Sequence, residues 1–300
     1  MSALSFKILK KEEGERLDIF LASKKVGSRS KCQKLIKGSN VLVNGEACKS
    51  GYELEKGDVV GVTFPKPEKI QITFVPKVIF ENKDFLILEK PAGISVQEGN
   101  APKKETITLA LLLQFPNLEK FDPASAGICH RLDKDTSGLL IVAKNKKTKE
   151  YFGNLFKSRK ISKKYIALVW GRAPQEGIIE APLKRSKTDK RKIVLVPDGE
   201  GRMAVTHFRA KKVFKEFTLL EVVPKTGRMH QIRVHLWSIG HPVVGDKVYG
   251  RHLNKKSNLG RHFLHASELG FKGPDGKQYK FKSKLPKELE RFLKKLTTDT

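Results

Sequence analysis

Residues 128–143 read Ile-Cys-His-Arg-Leu-Asp-Lys-Asp-Thr-Ser-Gly-Leu-Leu-Ile-Val-Ala. A polar loop with Asp133 close to Arg131 and two hydroxyls runs directly into an apolar strand. That is how a fold holds one charged group in front of a substrate. A carboxylate placed this way can act as a nucleophile or as a base. A second constellation spans Lys225 to Leu236, Lys-Thr-Gly-Arg-Met-His-Gln-Ile-Arg-Val-His-Leu, followed by Gly240-His241-Pro242 and Gly245-Asp246. Ile232, Leu236 and Ile239 fall at helical spacing, Gly240 is placed to end the helix, and Pro242 cannot continue it. Arg228, His230 and Gln231 then sit at the N-terminal end, where unpaired amides attract phosphate. A zinc reading of His230 and His235 fails, because this spacing lacks the one-turn register and the Glu of metalloproteases.

The elements that must position these residues follow from periodicity. Val78–Glu81 and Phe85–Lys90 read as strands, the second ending in the turn Pro91-Ala92-Gly93. Thr106–Leu113 reads as a helix that Phe115-Pro116 stops. After the Asp133 loop comes the strand Gly138–Lys144. Next is a helix capped by Thr148 with Phe152, Leu155 and Phe156 inward, and then a half-buried strand from Lys163 to Gly171. Further strands are predicted at Ile193–Val196, Val205–Phe208 and Phe217–Val223. Leu285, Leu289, Phe292, Leu293 and Leu296 predict a closing amphipathic helix. No internal repeat is visible. Leu183–Lys192, LKRSKTDKRK, is unusually basic and reads as a mobile RNA-binding loop.

A cluster of Pro and charge at Phe64–Lys69 reads as a linker within 65–75, leaving a small unit over residues 1–64 and a larger one over 76–300. In the small unit Leu17, Phe20 and Leu21 share a helical face. Ser28 is a plausible N-cap for a second helix with Cys32, Leu35 and Ile36 inward and Arg29, Lys31, Lys34 and Lys37 outward. The strand Val41-Leu42-Val43 then meets Asn44-Gly45, a strong hairpin signal because both turn residues must take positive φ.

Sixty Lys plus Arg against 32 Asp plus Glu give a formal charge of +28 in 300 residues, so a polyanionic partner is expected. No apolar run is long enough to span a bilayer, and the first residues lack the apolar core of a signal peptide, which predicts a cytoplasmic protein. Three cysteines without a C-x-x-C argue against a disulfide framework or a thiolate metal site and predict small buried residues. Two look-alike motifs fail on context. Gly199-x-Gly201-x-x-Ala204 matches a dinucleotide fingerprint, but Met203–Phe208 alternates like a strand where a helix is required, so a tight hairpin turn is expected. His130-Arg131-Leu132-Asp133 lacks the acid directly after Arg that a kinase catalytic loop needs, and no D-F-G follows.

The string HRLDxxTSGLLI closely resembles the second motif of the RluA-type pseudouridine synthases. ILEKPAG at 87–93 resembles the first motif, and GRMHQIRVHL with PVVGDKVYG resembles the third. YIALVWG at 165–171 matches the family's tyrosine motif, and Arg16–Val60 is similar to the S4 domain, a small RNA-binding module. The resemblance implies an α+β fold: a catalytic domain of mixed, mainly antiparallel sheet with flanking helices, plus the small N-terminal S4-like domain. It implies isomerisation of uridine to pseudouridine without cofactor or metal, with Asp133 essential, Arg233 (or second, Arg228) as the cation that keeps it ionised, and Tyr165 stacked on the detached base with its hydroxyl able to take part in proton removal from C5. Whether Asp133 attacks the sugar or deprotonates it stays open. Because the uridine must leave its stack, Arg131 either fills the vacated space or holds a flanking phosphate; the bland alternative is an ion pair with Asp135. Family members with an S4-like domain mostly modify large-subunit ribosomal RNA, so ribosomal RNA is the favoured partner, with tRNA second and no obligate protein partner evident. The rival readings are a non-catalytic RNA-binding or ribosome-assembly factor on the same fold and an S4-linked RNA methyltransferase.

Overall fold

The computed structural model describes residues 3–64, 72–97, 105–253 and 257–296. The expected linker core, Pro65–Lys69, lies outside the described residues. The chain divides into two compact units, residues 1–69 and 70–300.

The first unit has a four-stranded antiparallel sheet in the order β1 (Ala3–Lys7), β4 (Val59–Thr63), β2 (Val41–Val43), β3 (Glu46–Ala47), with helices α1 (Leu17–Ser23) and α2 (Arg29–Lys37). Leu17, Phe20, Leu21, Cys32, Leu35 and Ile36 pack with Val41, Val43, Val60 and Val62 in one core. The Ser28 side chain caps α2 by accepting from the Lys31 amide. Asn44 and Gly45 have φ of 52° and 87°, the positive pair that the two-residue turn requires. β1 has no signal of its own in the sequence, because among its described side chains only Phe6 packs on the core.

The second unit is built on a ten-stranded sheet. In chain order its elements are β5 (Lys77–Glu81), β6 (Phe85–Lys90), α3 (Ile107–Gln114), α4 (Asn117–Phe121), β7 (Ser137–Ala143), α5 (Lys146–Lys157) and β8 (Ser162–Trp170). Then follow β9 (Glu176–Arg185), β10 (Ile193–Leu195), β11 (Arg202–Val213), β12 (Phe217–Pro224), α6 (Gln231–Ser238), β13 (Leu264–Lys272), β14 (Gln278–Lys282) and α7 (Lys287–Lys294). The strand order is β10-β9-β11-β12-β8-β13-β7-β6-β5, with β14 paired to β13. Every pairing is antiparallel except β13 with β7, so the sheet is mixed and mainly antiparallel, as expected.

Both faces of the sheet are covered at its centre. On β6 and β7, Leu86, Leu88, Leu140 and Val142 pack with α3 and α4 residues, whereas Phe85, Ile87, Leu139 and Ile141 pack with Phe152 of α5. Burial on both sides explains why this stretch reads as a continuous apolar run and not as an alternation. β8 and β12 pack against Ile232 and Leu236 of α6 and against Leu289 of α7.

Several expectations are corrected. The cap of α5 is Asn145, whose side chain accepts from the Thr148 amide; Thr148 is buried one turn further in. Ile239 is not a core residue of α6 but its exposed C-cap. The Gly199–Gly201 turn does not form a hairpin, because β10 and β11 pair on opposite sides of β9. Its second half is strand β11, which also removes the helix that a methyltransferase reading requires. The basic segment up to Lys192 is an ordered hairpin between β9 and β10, braced by Ser186 accepting from the Asp189 amide and by an Arg191–Asp189 ion pair. Of the cysteines only Cys32 is fully buried; Cys48 and Cys129 are half-buried. Among the described residues no helix is long and apolar enough to cross a membrane.

Candidate active site

Asp133 sits in the loop entering β7, and the protein grips that loop residue by residue. The Lys134 carbonyl accepts from the Gly93 amide at 3.0 Å and from the Lys90 ammonium at 2.8 Å. The Asp135 carbonyl accepts from Arg261 at 2.9 Å. Thr136 is hydrogen-bonded to His262 at 2.8 Å and Ser137 to His265 at 2.9 Å. Lys90 is only 1 % exposed, and burial pulls its pKa down to about 7. At the loop's exit Gly138 has φ 122°, and a Cβ there would lie 2.2 Å from the Ala266 carbonyl oxygen, so the parallel β7–β13 contact requires glycine.

Opposite the loop, α6 delivers Arg233. Its Nη1 donates to Asp133 Oδ2 at 2.9 Å, while Nε and Nη2 donate to the two oxygens of Asp246 at 2.6 and 2.9 Å. Asp246 is wholly buried and also accepts from the amides of Val248 and Tyr249. The bidentate pair fixes the plane of the guanidinium and leaves one edge for Asp133. Burial works against the Asp133 carboxylate, but the neighbouring charges of His230 and Arg233 and the Arg233 hydrogen bond outweigh it and hold its pKa below the usual value. Burial also lowers the pKa of His230, against the pull of Asp133, and the guanidinium of Arg233 is the persistent counter-charge. His230 lies 3.9 Å from Asp133 through Nε2, and its Nδ1 shares a hydrogen bond of 3.1 Å with the Tyr249 hydroxyl. His230 caps α6 from the left-handed region at φ 54°, a conformation that costs a non-glycine residue energy and is often kept at functional sites.

Tyr165 projects from β8, which is hydrogen-bonded to β12 and β13. Burial and the nearby Asp133 charge push its pKa up, so the hydroxyl stays protonated. Asp133, Tyr165, His230 and Arg233 all line one cavity of about 530 Å³. That volume suits a nucleoside-sized ligand. Asp133 is its only carboxylate among the described lining residues, whereas Arg131, Lys157, Arg159, Lys225 and Arg228 stand exposed at the wall. Such a cavity draws in a polyanion and presents one half-buried acid to it.

Residues 84–238 match the family model for RNA pseudouridylate synthase, and residues 15–60 match that for the S4 domain. The chain belongs to the RNA pseudouridine synthase family. The chain is 36 % identical over 303 residues to YlyB of Bacillus subtilis, described as an uncharacterized RNA pseudouridine synthase, with 99 % of each chain covered. It is 35 % identical over 301 residues to the ribosomal large subunit pseudouridine synthase D of Zymomonas mobilis, with 94 % of each covered. Among solved structures, human RNA Pseudouridylate Synthase Domain Containing 1 matches with a TM-score of 0.62 at 25 % identity, covering 75 % of this chain and 89 % of that one. This pseudouridine synthase is therefore an isomerase acting on RNA, with a mixed α+β fold and an N-terminal S4 domain.

The remaining residues of the synthase singled out from sequence fall into different places. Gln231 is buried and its amide is saturated: the oxygen accepts from Thr226 and the Arg228 amide, and the nitrogen donates to Val205 and Thr206. It braces the turn before α6 and has no group left to face RNA. The same bond occupies the Arg228 amide, so the start of α6 offers fewer free amides than expected; the Arg228 side chain remains exposed at the cavity rim. Arg131 is exposed and makes no ion pair with Asp135 among the described residues. In the S4 domain Lys31, Lys34 and Lys37 are exposed, but Arg29 donates to the buried Asp18, which also binds Arg16 and Gln33. Among the described residues no group of three or more His, Cys, Asp or Glu is placed to hold a metal. Asp246, Arg261, His262 and His265 had no sequence signal as a network, because their partners lie 13 to 128 residues away.

Proposed function

We propose that this enzyme isomerises uridines of large-subunit ribosomal RNA in the cytoplasm, with Asp133 as its essential carboxylate, Arg233 as the cation that keeps Asp133 ionised, and Tyr165 as the ring that holds the base. The observation that carries this reading is the Arg233–Asp133 pair opening into a basic cavity. The bond from ribose C1′ to N1 breaks and one from C1′ to C5 forms; N1 gains a proton and C5 loses one, so no oxidant or group donor enters. Asp133 acts at the sugar, as nucleophile or as base. The protonated Tyr165 supports stacking on the detached ring. Arg131 and Arg228 at the rim, with Lys31, Lys34 and Lys37 of the S4 domain, supply phosphate contacts. Relatives named for the ribosomal large subunit support the choice of RNA. The test is to map pseudouridines in RNA from cells lacking the protein. Loss of specific sites in large-subunit ribosomal RNA, restored by the parent and not by Asp133→Asn, is expected. Loss confined to tRNA would overturn the substrate assignment, and restoration by Asp133→Asn would overturn the catalytic one.

A further inference from the structure

Two interior cations line the cavity, and only one of them has a carboxylate. Arg233 is held by Asp133 and Asp246. Lys163 is half-buried on β8, two residues before Tyr165 and therefore on the same face of the strand. Its ammonium makes one long contact, 3.4 Å to the Thr226 carbonyl, and stands 5.9 Å over the Phe156 ring. No carboxylate pairs with it among the described residues. The other lysines and arginines of the wall are exposed and suit the RNA backbone, whereas Lys163 lies inside, beside the ring expected to carry the base.

We propose that Lys163 is a catalytic residue that donates a charged N–H to a carbonyl oxygen of the uracil ring and stabilises the negative charge the base acquires as the glycosidic bond breaks. The electron pair of the C1′–N1 bond passes to the ring and spreads over N1 and the two carbonyl oxygens. Lys163 keeps its proton and forms no covalent bond. A preplaced cation in a water-poor site acts where charge develops, which is the most effective form of electrostatic catalysis. Lys164, the next residue, pairs with Glu221 and cannot substitute for it.

A neutral ammonium would lose this effect. Burial pulls the Lys163 pKa down to about 8. The other charged or titratable groups lining the cavity are Asp133 with its partner Arg233, His230, Tyr165, Cys129, His130, whose Nε2 accepts from the Ile141 amide, and the exposed Arg131, Lys157, Arg159, Lys225 and Arg228. Lys163 is charged below that pKa, so the chemical step is expected to slow as pH rises through it.

This inference rests on the pseudouridine-forming reading of the cavity, and the parent enzyme run alongside separates the two: a parent that makes no pseudouridine from ribosomal RNA fails that reading, not this one. Single-turnover rates at saturating RNA and equilibrium RNA affinity are measured for the parent, Lys163→Met and Lys163→Arg in the full chain. Lys163→Met is expected to lose about 100-fold in rate, with affinity and its salt dependence within about threefold. Lys163→Arg recovers most of the rate and no longer shows the alkaline fall. A Lys163→Met variant that keeps its rate but binds RNA more weakly, with a shallower salt slope, would make Lys163 a phosphate contact and overturn the proposal. If Lys163→Met does not fold, the pH profiles of the parent and Lys163→Arg decide: identical alkaline limbs overturn it.

Discussion

The role proposed for Asp133 sets a constraint that a single side chain cannot meet: the carboxyl has to be ionised in a cavity that disfavours charge. Arg233 resolves this, and Asp246 holds Arg233 in turn. Replacing Asp133 with Asn keeps the shape but removes attack and proton acceptance, so turnover is expected to vanish while RNA binding survives; filter binding beside a pseudouridine assay checks both. In Arg233→Gln the Asp133 carboxyl loses its counter-charge and its pKa rises. The ionised form then disappears at higher pH as the solution is acidified, so the variant acquires an acid fall in rate that the parent lacks near pH 6. Equal profiles between pH 5 and 8 would break the link between the two residues. Arg233→Gln also leaves Asp246 buried without its partner, which costs about 3–5 kcal/mol and is read as a drop in Tm. Tyr165→Phe keeps the ring and is expected to retain activity within about tenfold if stacking is the main role; a complete loss would assign chemistry to the hydroxyl.

Among the elements, those with strong local signals were legible and those defined by distant pairing were not. α2, its Ser28 cap and the Asn44-Gly45 turn were readable because each depends on residues within a few positions. β7 was readable because burial on both faces writes an unbroken apolar run. β9, β13 and β14 carry no clear signal in the sequence: β9 ends in the basic hairpin, and β14 alternates exposed and half-buried residues. Asp133, Tyr165 and Arg233 were named from motifs and do meet in one cavity, but the brackets that hold their loop come from Lys90, Arg261, His262 and His265 across the sheet. Gly138 ties these levels together. Gly138→Ala forces a Cβ against the Ala266 carbonyl and holds alanine at φ 122°, so a loss of at least about 3 kcal/mol is expected by denaturant unfolding. Activity in the surviving folded fraction should also drop, because the shifted strand carries the Asp133 loop with it.

For the whole molecule, the two compact units predict a division of labour. Deleting residues 1–70 removes Lys31, Lys34 and Lys37 but none of the residues around Asp133. The shortened protein is expected to fold, bind RNA more weakly and show a flatter dependence of affinity on salt, since fewer phosphates are neutralised. Single-turnover rates at saturating RNA should stay close to those of the parent. An unchanged affinity and salt slope would remove the S4 domain from RNA capture.

The position of β13 has a consequence for how the enzyme is made. It lies between β8 and β7 in the sheet, yet it is nearly the last strand in the chain. A ribosome extending the chain at about 5–20 residues per second needs roughly 5–20 s to pass from the end of β8 to the end of β13. Throughout that interval β7 and β8 each carry an open edge at the centre of the future sheet, and the Asp133 loop lacks its Arg261 and His262 brackets. Newly made chains are therefore expected to be inactive and sticky until β13 has been added, so premature stops before Lys272 should yield insoluble protein instead of partially active enzyme.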